Sequence, residues 1–262
     1  MIKLLFTALA ALLLSGCATN GLFIDRTYTA KGQSSRVKFV VLHYTVSDTN
    51  RSINVLTNQV VSSHYLVTND PTPVVYQLVD ESRQANHAGV SFWRGYTHLN
   101  ASSVGIEIVN PGFTLGPDGR TWYPYPQAQV DKIIALVKGI VARHNIPPEN
   151  VIGHADIAPT RKQDPGPMFP WPQLAAAGLA LWPDAQKVTE ARQVYDVQLP
   201  EVAWFQAKLG QFGYEVPRHG QLDTLTRAAL TAFQMRFRPA LIDGTPDAET
   251  ASLLEALVKP AS

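Results

Sequence analysis

Hydrophobic positions fall along this chain in short runs and in longer, spaced patterns. Residues 37–42, Val-Lys-Phe-Val-Val-Leu, form a near-continuous apolar run of strand length and β-branched character, the pattern of a strand buried on both faces, and His43 ends it. Similar runs predict strands at 60–61 leading into 64–67, at 74–79 and at 104–109. Residues 82–102 show no period and are expected to form a binding loop, because structureless stretches of that length are uncommon inside compact domains. From 126 to 144 the apolar residues Val130, Ile133, Ile134, Val137, Ile140 and Val141 keep helical spacing, and Asn145 with Pro147 and Pro148 stops the helix. Strands alternating with helices predict an α/β fold, a mixed central sheet flanked by helices.

Beyond Trp182 the pattern changes. Residues 183–199 read as a linker, and helical spacing then recurs over 200–212, 224–237 and 246–258, a small C-terminal three-helix domain. Two turns between these helices share one motif, Gly220-x-x-Asp223-x-x-Thr226 and Gly244-x-x-Asp247-x-x-Thr250. Glycine supplies the left-handed turn, and Asp or Thr can accept from the free amides that open the next helix.

Composition narrows the partners. The 262 residues, 45% hydrophobic, allow one good core and a second small one. A formal net charge of +1 gives no broad field, so no nucleic acid is expected as partner. The single cysteine, Cys17, follows Lys3, an apolar run over 4–14 too short to anchor across a bilayer, and Leu14-Ser15-Gly16. This ending resembles a bacterial lipoprotein signal, which implies cleavage before Cys17, acylation of that cysteine and, with Ala18 next, an outer-membrane anchor facing the periplasm. A plain secretory signal is the alternative. The expected organisation is a signal peptide at 1–16, a lipidated tether at 17–35, a catalytic domain at 36–182, the linker at 183–199 and the helical domain at 200–259.

Candidate chemistry gathers after Gly153, in His154-Ala-Asp-Ile-Ala-Pro-Thr-Arg-Lys-Gln-Asp164-Pro-Gly-Pro. Its prolines forbid helix or inner strand and stiffen the loop. His43, at the C-terminal end of the first strand, supplies a third candidate ligand beside His154 and Asp164. Two imidazoles and a carboxylate suit zinc, and three protein ligands leave a position for water. Zinc lowers the pKa of such a water to about 7 and polarises carbonyls, so the reaction indicated is hydrolysis of an acyl bond. A structural strand-end histidine would leave the same trace.

Glu107 interrupts an apolar strand, where a charge is costly unless paired or used, and is the candidate general base. Simple alternation could instead place it on a solvated face. Lys162 could face the charge on a tetrahedral intermediate or lie solvated, as its neighbour Arg161 is expected to do. His64 reads as a core or supporting residue, His98, His144 and His219 as surface, and Asp156 as a brace within its own loop. There is no His-Glu-x-x-His, Gly-rich phosphate loop or serine nucleophile elbow.

In chain order, Val41-Leu-His43-Tyr-Thr, Ser62-Ser-His64-Tyr-Leu, Asn86-His-Ala-Gly89, Ser103-Val-Gly-Ile-Glu107 and Gly153-His-Ala-Asp-Ile-Ala-Pro through Lys162-Gln-Asp164-Pro-Gly resemble the zinc-dependent N-acetylmuramoyl-L-alanine amidases of the type 2 family. That fold is shared with peptidoglycan recognition proteins. The resemblance covers roughly residues 36–180, and Phe233-Gln234 with the twin turns is similar to the three-helix peptidoglycan-binding domain. It implies one Zn²⁺ per chain on His43, His154 and Asp164, with Glu107 as acid/base and Lys162 stabilising the transition state. His87, Trp93, Arg94 and Asn100 become candidate substrate-groove residues, while Asn86 stands where the family usually has Trp. The implied reaction is hydrolysis of the amide between N-acetylmuramic acid and L-alanine in peptidoglycan, during wall turnover or recycling. Muropeptides are then the substrate, the membrane is a partner through Cys17, and no protein partner is implied. A non-catalytic peptidoglycan receptor and a zinc peptidase of stem peptides remain alternatives.

Overall fold

The computed structural model describes residue 22, residues 24–117 and residues 119–258. The expected signal peptide over 1–16 and the acylation site Cys17 lie outside the described residues. The chain divides into two compact units, residues 1–34 and 35–262. In the first, residues 24–34 are exposed and contain no helix or strand.

The centre of the second unit is a five-stranded mixed sheet built from β1 (Phe39–Tyr44), β2 (Tyr65–Val67), β3 (Val75–Gln77), β6 (Ser103–Ile108) and β9 (Val151–Gly153), in the order β3-β2-β6-β1-β9. Only β3 runs antiparallel to its neighbour. Two hairpins lie outside the sheet, β4 (Phe92–Trp93) with β5 (Tyr96–Thr97) and β7 (Phe113–Gly116) with β8 (Gly119–Trp122). The helices are α1 (Thr49–Asn58), α2 (Gln127–His144), α3 (His154–Ile157), α4 (Trp171–Ala176), α5 (Ala185–Tyr195), α6 (Val202–Phe212), α7 (Thr224–Phe237) and α8 (Ala248–Leu257).

The period-2 alternation of β1 sorts its side chains between two cores. Val40 and Leu42 join Val104, Ile106 and Ile108 on the face covered by Ile133, Val137 and Ile140 of α2. Asn145 ends α2 in the left-handed region at φ 55°. Phe39 and Val41 face the other way, with Ile152, and meet Phe205, Leu209, Phe212, Phe233 and Leu254 of the C-terminal helices. Farther along that face Leu66 packs under Leu56 of α1. A strand buried on both faces is therefore required of β1, as its unbroken apolar run implies.

The C-terminal helices form a duplicated unit. Gln206 of α6 accepts from Gly220 N–H (2.8 Å) and donates to Thr226 Oγ1 (2.9 Å), while Asp223 caps α7 by accepting from Thr226 N–H at 2.8 Å. Gln234 of α7 repeats the arrangement, accepting from Gly244 N–H (2.8 Å) and donating to Thr250 Oγ1 (3.2 Å), and Asp247 caps α8. Both glutamines are fully buried, so their paired amide groups replace the water the turns would otherwise need.

Residues 183–199 are not an extended linker. Asp184 caps α5 through the amides of Gln186 and Lys187, and Val188 and Tyr195 pack against the core of the helices while Tyr195 Oη donates to Glu255 at 3.2 Å. The stretch is polar enough to read as a tether, and only contact with α8 and α6 makes it a helix worth forming. The core of these helices is continuous with one face of the sheet, so no tether separates them.

Candidate metal centre and cleft

Strand register sets the first pair of residues. His43 and Glu107 are Cα partners on adjacent parallel strands and project from the same face of the sheet. His154 opens α3 immediately after β9, whose Gly153 is the register partner of Leu42. The returning loop is tied back by Ala155 N–H donating to Asp164 O at 2.8 Å, and the Asp164–Pro165 peptide is cis. These constraints bring His43, His154 and Asp164 together, with ligand atoms within 4.8 Å of one another, and all three are buried.

The hydrogen bonds behind the centre decide what faces into it. Ser103 Oγ donates to Leu99 O at 2.5 Å, which leaves its lone pairs for His87 Nε2–H at 3.1 Å. His87 Nδ1 is then an acceptor and receives His43 Nε2–H at 3.0 Å. His154 Nε2–H donates to Ala88 O at 3.2 Å. Both Nδ1 atoms are thereby left unprotonated, 2.9 Å apart, and each lies 3.0–3.1 Å from Asp164 Oδ2. Three acceptors converge with no donor among them. Such a cluster is repulsive by itself and fits a cation, since neutral imidazole and carboxylate are metal-ligand forms.

Electrostatics agree with the geometry. Burial, and next the neighbouring His154, push His43 down to about 4, which keeps the ring neutral. Burial alone would raise Asp164, but its contacts with His154 and His43 hold the carboxyl well below the usual range. Burial and the Asp164 charge lift Glu107 to about 8 against the opposing pull of Lys162. Glu107 Oε2 is buried without a hydrogen-bond partner among the described residues, the state of an acid–base group waiting for substrate rather than of a structural ion pair.

These groups lie along a cleft of about 610 Å³, walled by Arg51 and Leu56 of α1, Asn86, Phe113, Glu107 and Lys162. The volume suits a ligand of several hundred daltons. The structure brings His43, His154 and Asp164 together, and Glu107 and Lys162 line the adjoining cleft.

The groove candidates are largely misplaced. His87 shows only an edge to the cleft and instead supports His43 from behind, its ring so close to β6 that a Cβ on Gly105 would stand 2.4 Å from His87 Cγ. Trp93 is fully buried against Phe212 and Tyr214, and Gly213, at φ 150°, leaves the space its ring fills. Arg94 points the same way and donates to Phe212 O at 3.0 Å. Asn100 Oδ1 receives the amides of His87 and Ala88 at 3.1 and 2.7 Å, so it shapes the loop instead of touching substrate. For Trp93 and Arg94 the cause is contact with Phe212 and the turn after α6, which the local pattern cannot show.

Arg161 is exposed, as expected, but not free: it donates to Ala88 O and Val90 O, both at 2.5 Å, and clamps the His87 loop to the catalytic one. His144 is not a free surface residue either, bonding Glu81 at 2.7 Å beside Arg143. Sequence reasoning missed Ser103 and Gly105. An isolated glycine inside a strand was the available signal for the close approach of another group.

A family model for N-acetylmuramoyl-L-alanine amidase matches residues 33–167. N-acetylmuramoyl-L-alanine amidase AmiD of Escherichia coli (strain K12) is 43% identical over 95% of this chain and 95% of its own length. The chain belongs to the N-acetylmuramoyl-L-alanine amidase family. Its reaction is hydrolysis of the amide between N-acetylmuramic acid and L-alanine. A second model, described as a peptidoglycan binding domain, matches residues 198–254. Among solved structures, E. coli AmiD in complex with the substrate anhydro-N-acetylmuramic acid-L-Ala-D-γ-Glu-L-Lys superposes with a TM-score of 0.82 at 41% identity, covering 92% of this chain and 95% of that one. AmpDh3 from Pseudomonas aeruginosa in complex with anhydromuramic pentapeptide gives 0.83 at 38% identity, covering 90% and 97%.

Proposed function

We propose that this amidase acts through one zinc ion held by His43, His154 and Asp164, on muropeptides seated in the cleft. The observation that carries the reading is the inward convergence of three acceptors whose tautomers are fixed from outside, beside a carboxylate with an unpartnered oxygen. Zinc, when bound there, supplies Lewis-acid polarisation and water activation. The chain supplies the rest. Glu107 takes a proton from the attacking water and delivers it to the alanine nitrogen as the C–N bond breaks, leaving a lactyl carboxylate and a free amine. Its raised pKa suits both halves of that task. Lys162 faces the carbonyl oxygen as negative charge grows on it. Arg161, through Ala88, and Ser103, through His87, hold the two imidazoles in orientation.

The test is mass spectrometry of defined muropeptides, beginning with the anhydromuramoyl tripeptide that the E. coli relative binds. Expected are a peptide with free L-alanine amine and an intact sugar, lost with a chelator and restored by zinc. Cleavage within the peptide would replace this reading with the peptidase, and wall binding without products would replace it with the receptor. An acylated Cys17 would hold the enzyme at the outer membrane, facing the periplasm. Cys17→Ser should move it from the membrane to the soluble fraction and abolish fatty-acid labelling.

A further inference from the structure

Asp156 braces its own loop, as its place in the sequence suggests, and is also a buried junction between the metal-binding turn and the C-terminal helices. Asp156 Oδ2 accepts from Gly153 N–H at 2.8 Å, the amide directly before ligand His154. The same oxygen receives Arg236 Nη1 of α7 at 3.0 Å, and Oδ1 receives Tyr214 Oη, just beyond α6, at 2.6 Å. All three side chains are at most 4% exposed. Arg236 is itself confined, its guanidinium 3.9 Å from the ring centroid of Trp171 and its Nη2 donating to Val151 O on β9. From the other side Gly153 meets Pro165, next to ligand Asp164, so closely that a Cβ would lie 2.7 Å from its Cδ.

We propose that Tyr214 and Arg236 are positioning residues for the metal centre, acting through Asp156 on the turn that presents His154. Through these two residues the C-terminal segment supports the metal centre, besides resembling a wall-binding domain. A core that only needed burial could close this interface with apolar groups. Here two donors from separate segments of the helices converge on one carboxylate, and its remaining contact is the backbone of the metal-binding turn. A buried charge held this way has little freedom, so the turn inherits that rigidity. The inference rests on the zinc reading above.

The experiment is zinc competition with a chromophoric chelator on the full-length chain, well below its melting temperature, alongside steady-state kinetics. Tyr214→Phe removes one hydroxyl and keeps the packing. It should raise the zinc Kd by about 10-fold, the lower end for loss of a partner behind a ligand, and lower kcat with KM unchanged. Arg236→Met should do more. Leu254→Ala, in the core of the same helices but away from the junction, should cost more thermal stability while leaving Kd within about twofold of wild type. On an Asp156→Ala background Tyr214→Phe should add nothing to Kd. Loss of zinc affinity that tracks melting temperature across all variants, including Leu254→Ala, overturns the proposal, as does an unchanged Kd in Tyr214→Phe while the wild type binds zinc. A wild type that takes no zinc overturns the zinc reading as well, so the two failures are distinguishable.

Discussion

The two ends of the sheet's shared face are built on opposite principles. At the cleft, three acceptors point at one another and a glutamate oxygen lacks a partner among the described residues. Under the C-terminal helices, the turn amides that Gln206 and Gln234 clasp are paired, and Phe212, Phe233 and Phe237 lie ring against ring. The first region tolerates unmet electrostatic demand because a ligand is to meet it. The second meets its turn amides from within, and what it leaves without a partner among the described residues is single donor nitrogens, Trp93 Nε1, Arg236 Nε and Arg238 Nε. Stability and chemistry are therefore segregated along one face, and Asp156 is one of the points where they meet.

The largest expected effects come from making each region resemble the other. Glu107→Gln keeps the shape of the cleft but removes its acid–base group, and turnover should fall by about 10²- to 10⁴-fold with zinc still bound. Near-normal rates would remove Glu107 from the mechanism. Phe233→Ala, placing a void in the dry region, should cost about 3–5 kcal/mol in denaturant unfolding. A much smaller loss would mean that the helices are loosely held.

A subtler contrast concerns pH. The folded pKa of Glu107 is raised to about 8 from 4.5, so its protonated form favours the folded state. That contribution is complete below about 4.5 and is lost as pH rises through 8. Between about 4.5 and 8 the melting temperature of zinc-stripped protein should accordingly fall relative to that of Glu107→Gln, the buried neutral His43 being common to both. An identical pH dependence in the two proteins would contradict the burial of that carboxylate. Smallest is the cap: Asp247→Ala should cost about 1 kcal/mol by leaving Thr250 N–H without its partner, measurable as a shifted unfolding midpoint. No shift would show that α8 is held by packing alone.

Sequence by itself determined the elements whose signals are local. The unbroken run of β1, the spacing of α2, the matching turns before α7 and α8, and the ordered motifs around His43, Glu107, His154, Lys162 and Asp164 all lie within a few residues of what they specify. Even so, proximity of the three ligands followed from resemblance rather than spacing, because His43 and Asp164 are joined only through strand register and a loop return. Tertiary structure alone decided what covers what. Trp93, Arg94 and Asn100 became structural, Arg161 became a clamp, residues 185–195 became a helix, and Asp156 became, besides a loop brace, a junction with Tyr214 and Arg236. In each case the deciding partner is distant in sequence, and burial is a property of the assembled layers, which no local pattern of hydrophobic and polar residues encodes.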